Sequence, residues 1–185
     1  MTRGAFRTAL VTVVCLGAGA MLLAADVRIT PVQDAGKVLA SVSAPSAYSS
    51  DVRDAVQSGV AVTLQFVVEL KRPSALWFDS TLATVKVSSV VKFDNLARVY
   101  QVSKVNDGRV FFSQTHDKED QARAWATEFE RVQLSDGASL EANADYYVRV
   151  RVRASPHKSS FISTFLIWPF GRDDADGRAD FTYLR

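Results

Sequence analysis

Residues 60–71 read Val60-Ala61-Val62-Thr63-Leu64-Gln65-Phe66-Val67-Val68-Glu69-Leu70-Lys71. Val60, Val62, Leu64, Phe66, Val68 and Leu70 fall on one side of a period of two, and Ala61, Thr63, Gln65, Val67, Glu69 and Lys71 on the other. Successive side chains of a strand point to opposite faces, so this pattern is a half-buried β-strand. Pro73 ends it, because proline cannot donate to a ladder.

The same pattern recurs on both sides. Ala83, Val85, Val87, Ser89, Val91 and Phe93 share a face, Asp94-Asn95 turns the chain, and Arg98 to Lys104 continues extended. Asn106-Asp107-Gly108 is a hairpin signal, since such turns need positive φ. Arg109 to Thr115 then returns, which predicts a three-stranded antiparallel meander over 80–115. Tyr146, Val148, Val150 and Val152 alternate with Tyr147, Arg149, Arg151 and Arg153. Shorter strands are predicted over 26–31, 37–43 and 179–185. A short helix is predicted over 50–58, capped by Ser49 or Ser50, with Val52 and Val56 inward and Gly59 at its end. A longer helix is predicted over 117–130, capped by Asp117, with Ala122, Trp125, Ala126 and Phe129 as its apolar stripe. The fold class is mainly β (α+β): an antiparallel β-sandwich or curled sheet of seven to nine strands, with one short and one longer helix.

The 185 residues carry a formal charge of +2, from 22 Lys and Arg against 20 Asp and Glu, with one Cys. Arg3 and Arg7 precede an apolar stretch, Thr8 to Leu16, and the small residues Ala18-Gly19-Ala20. That is the layout of an export signal. Residues 1–25 are therefore a signal peptide, with a cut near Ala20 or Ala25, or an uncleaved N-terminal membrane anchor, since Thr8 to Ala25 is just long enough to span a bilayer. Val14 before Cys15 speaks against a lipoprotein. Residues 26–185 form a single β-rich domain, expected in the periplasm or another extracytoplasmic space. Both arginines and the lone Cys belong to the export segment, so what remains is thiol-free, with bases and acids equal in number. A balanced charge argues against a nucleic-acid partner.

The order of these segments resembles a bacterial family of exported proteins, the domain of unknown function DUF4390. The likeness rests on the strand Ser58 to Leu70, the pair Lys71-Arg72, Trp77-Phe78-Asp79, the stretch Phe93 to Val102 and Tyr147-Val-Arg-Val-Arg-Val-Arg153, and would cover roughly residues 27–185. It implies an envelope module without an assigned activity, and carries over no functional residue.

Local chemistry is sparse. His116 and His157 are far apart and expected at the surface, and no HExxH, GxSxG, GxGxxG or P-loop is present. Asp173-Asp174-Ala175-Asp176-Gly177 lacks the spacing and the closing Glu of a calcium loop and is expected to be a solvated turn. No cofactor, no metal and no catalytic residue is expected. Two interaction surfaces stand out. Arg149, Arg151 and Arg153 share a strand face and form a basic ridge, either for an anionic partner or as a solvated face paired to acids on neighbouring strands. Phe161 to Phe170, with Phe165, Trp168 and Phe170, is an apolar run that forms either core or an exposed patch for a partner. Trp77 with Phe78, and Trp125 with Phe129, are expected in the core. The expected function is a non-enzymatic module binding an envelope protein or a membrane surface. The alternative is an apolar-ligand carrier with a pocket between sheet and the Trp125 helix.

Overall fold

The computed structural model describes residues 27–74, 78–106, 108–156 and 175–184. Residues 1–25, expected as an export segment, together with Trp77, His157 and the run containing Phe165, Trp168 and Phe170, lie outside the described residues.

Nine strands form two antiparallel sheets. In chain order they are β1 (Arg28–Asp34), β2 (Lys37–Ser43), β3 (Val62–Arg72), β4 (Ser80–Asp94), β5 (Val99–Asn106), β6 (Arg109–His116), β7 (Glu128–Ser135), β8 (Asp145–Pro156) and β9 (Ala175–Thr182). The larger sheet runs β6-β5-β4-β3-β8-β9 and the smaller β1-β2-β7. A 3-10 turn (Pro45–Ala47) leads into helix α1 (Ser50–Gln57), and helix α2 (Glu119–Thr127) joins β6 to β7. The two sheets and two helices agree with the expected class, and β4, β5 and β6 form the expected meander.

β3 is the spine. It pairs with β4 on one side and β8 on the other, so both its edges are laddered over Val62–Lys71, with one irregularity between Leu70 and Lys71. Its alternate residues Val62, Leu64, Phe66, Val68 and Leu70 are fully buried against the smaller sheet. Val148, Val150 and Val152 of β8 continue that inner layer. Each such side chain contributes about 1.5–3 kcal/mol by leaving water.

The two sheets differ in width, and this sets where the molecule is open. β1 packs over β8 and β9, and β7 over β3 and β4. Among the described residues, β5 and β6 are covered mainly by α2, which packs on β4, β5 and β6. Buried Ser89 of β4 fixes it there, its hydroxyl donating to the Ala126 carbonyl at 2.5 Å.

Several local expectations are corrected. Helix α2 stops at Thr127, and 128–135 is a strand the periodicity did not show. The Thr127 carbonyl accepts from Ala44 N–H, which draws the chain into the β2 ladder. Phe129 then meets Phe66 edge-on at 4.9 Å between ring centroids. The cap position of α2 is Lys118, without a side-chain cap bond, while Ser49 caps α1 as expected, accepting from Val52 N–H at 3.4 Å. Residues 175–178, expected as loop, open β9; Asp176 and Gly177 are therefore strand residues. Phe78, expected in the core, is 95% exposed. His116, expected at the surface, is buried beside Trp125.

Candidate functional site

The open end of the inner face is a cleft of about 280 Å³ lined by Lys104, Phe111, Phe112, Trp125, Glu128, Phe129 and Glu130. Its floor is the β5–β6 hairpin, one wall is α2 and the other is the start of β7. Ordinary alternation would send Phe111 and Phe112 to opposite faces of β6. The ladder slips between Lys104 and Val105: Phe112 faces Lys104 and Val110 faces Val105, which leaves Phe111 as an extra residue. Such a bulge re-aims side chains, and here both phenylalanines line the cleft. Phe111 remains 58% and Phe112 44% exposed. Phe112 stacks on Trp125 at 4.8 Å.

Lys104 occupies the inner face among these rings. Its ammonium lies 4.4 Å from the Trp125 ring centroid and 5.0 Å from that of Phe129. It donates to the Glu128 carbonyl at 2.9 Å. Partial burial lowers its pKa, while the Glu130 and Glu128 carboxylates oppose that shift. Alternation along β7 turns the Thr127 carbonyl toward β2 and that of Glu128 away, so Lys104 satisfies a carbonyl on the free edge of the smaller sheet. Sequence reading did not single out Lys104 or Phe111. The signal that leads to them is the apolar triplet Val110-Phe111-Phe112, which breaks strict alternation directly after a hairpin turn.

The Arg149, Arg151 and Arg153 ridge lies on the opposite surface, the outer face of the larger sheet. Arg149 binds Asp176 through two bonds, Nε at 3.1 Å and Nη2 at 3.0 Å. Arg151 reaches Glu69 at 3.0 Å. Tyr147, next in the row, is buried beneath Arg178, whose guanidinium lies 3.7 Å from its ring centroid. Its hydroxyl donates to Asp79 at 2.6 Å, which holds the Asp79 carboxyl below its usual range.

Glu119, three residues after His116, is engaged elsewhere. Glu119 accepts from Arg53 at 2.7 Å and from Gln57 at 3.0 Å, tying α1 to α2. His116 Nε2 is buried without a hydrogen-bond partner among the described residues. Among the described residues, no three His, Cys, Asp or Glu side chains gather as a metal site, and no helix is long and apolar enough to cross a membrane.

The family model described as Domain of unknown function (DUF4390) matches residues 25–160. The chain belongs to that family. The DUF4390 match takes in β1 through β8, the aromatic cleft and the arginine row, and ends before β9. No curated protein and no solved structure matches the chain.

Proposed function

We propose that this DUF4390 domain is a non-enzymatic binding module of the bacterial envelope, exported by its N-terminal segment, which holds an extended apolar segment of a partner protein in the Lys104–Trp125 cleft. One observation carries the reading: among the described residues no strand covers the inner face of β5 and β6 at this end, and four aromatic rings, Phe111, Phe112, Trp125 and Phe129, line the space. Aromatic rings on a concave surface are frequent anchors for a partner side chain. The free edge of β7 beside them offers backbone groups to an incoming extended chain.

A small apolar ligand is the second reading, favoured by the cleft's position between sheet and helix. The volume of about 280 Å³ lies slightly below the range of roughly 300–1,000 Å³ usual for ligand pockets. The cleft is also partly open to solvent, which suits a side chain of a longer segment.

Selection of a random displayed-peptide library against the purified full chain tests both. Enrichment of peptides with alternating apolar residues, lost in Phe112→Ala and Trp125→Ala, is the expected result. Enrichment unaffected by both substitutions, or none at all, overturns the reading. A saturable blue shift of tryptophan emission on adding a small aliphatic ligand, lost in Trp125→Ala, in the absence of peptide enrichment selects the carrier instead.

A further inference from the structure

We propose that Lys104 is a displaceable plug on the edge of β7: it closes that edge in the free protein and must let go of the Glu128 carbonyl before a partner strand can pair there. The inference rests on the reading of the cleft as a seat for an extended segment, and adds how that seat is controlled. The backbone of β7 shows what is being closed. Ala44 N–H donates to the Thr127 carbonyl beside the register pair Ser43–Glu128. In an antiparallel ladder such a pair is bonded through its neighbours, and its own N–H and C=O groups point away from the partner strand. The Glu128 carbonyl is thus an acceptor on the free edge. β7 ends the β1-β2-β7 sheet, so no strand among the described residues takes this carbonyl. The Lys104 ammonium takes it instead, at 2.9 Å, the distance of an ordinary strand hydrogen bond. A cation from the other sheet stands where the donor of a fourth strand would be.

Lys104 is placed both to hold that position and to leave it. It pairs with Ser89, whose buried hydroxyl bonds α2, so it projects from the inner face of β5. A charged side chain pointing inward beside a free edge is a bar to strand pairing. Its loss of water there is offset by the rings of Trp125 and Phe129 and by the Glu128 carbonyl. The carboxylates of Glu128 and Glu130 also favour the charged form. The stem of lysine is flexible and the cleft is partly open to solvent, so the ammonium can swing into water with the backbone unmoved. Its departure bares the carbonyl and frees the aromatic lining of a charge. Only the unplugged fraction of the protein can pair, and the apparent affinity for a strand is reduced by that fraction.

Lys104→Met keeps the length of the stem and removes the donor. The test selects a random displayed-peptide library against the full chain in both forms, then measures the affinity of each recovered peptide for both by fluorescence anisotropy. The expected result is binding about tenfold tighter to Lys104→Met, the effect of releasing one hydrogen bond from a charged donor. Analogues of each peptide, N-methylated at one backbone position at a time, separate edge pairing from added apolar surface. Methylation keeps the side chains and removes an N–H, so at one position at least it should abolish the gain. Recovery of peptides by Lys104→Met alone is the plug at its tightest, and supports the proposal. Peptides that bind the variant no better than the parent, or a gain that survives methylation at every position, overturn the plug and leave the cleft reading standing. Recovery by neither form overturns both. Thermal melting checks that the two forms fold alike, and Lys104→Leu repeats the measurement where methionine disturbs the fold.

Discussion

The Tyr48 hydroxyl is buried and has no hydrogen-bond partner among the described residues. Such a group loses its water without compensation, a cost of about 1–3 kcal/mol. Tyr48→Phe keeps the ring and removes the penalty, so it should raise unfolding free energy by about that amount in a denaturant titration. It should also alter the alkaline limb of stability. Burial, with Glu119 nearby, raises the Tyr48 pKa above its usual value near 10. The folded protein thus holds a proton there that the unfolded chain releases. Stability from this group is intact below pH 10 and lost as pH rises above it. The Phe variant should lack that part of the decline.

The bulge in β6 and the end of α2 are the elements that shape the cleft. Deleting Phe111 would make the ladder regular without moving its neighbours, because Phe112 already faces Lys104 and Val110 already faces Val105. Phe111 is mostly exposed, so the deletion should change stability by less than about 1 kcal/mol, measured by thermal melting, while weakening peptide capture. The long strands were legible from sequence because alternation in β3, β4 and β8 is strict. The cleft was not. A bulge is a relation between two strands, and nothing in Phe111-Phe112 alone states which partner residue each will face. The helix boundary failed for a related reason. Phe129 continues the stripe of Ala122, Trp125 and Ala126, yet pairing with Val42 of β2 outweighs helical periodicity. Arg149 and Arg151 were legible as a row.

At the scale of the whole molecule, the sheets are closed at one edge and open at the other. On the closed edge the first described strand meets the last. Gln33 Nε2 donates to the Thr182 carbonyl at 2.9 Å, and Leu184 N–H donates to Gln33 Oε1 at 3.0 Å. Gly177 of β9 lies so near Val27 that a Cβ there would come within 2.7 Å of the Val27 Cβ. Gly177→Val should therefore wedge this seam apart at a cost of about 1–3 kcal/mol, seen as a lower denaturant midpoint with an intact cleft. A seam between the two ends of the chain also orders folding in time. Pairing so distant in sequence forms late, because its loop must close first. Until β9 docks, β8 has an unpaired edge and β1 lacks part of its floor. The folding chain thus stays an open half-sandwich until β9 is in place.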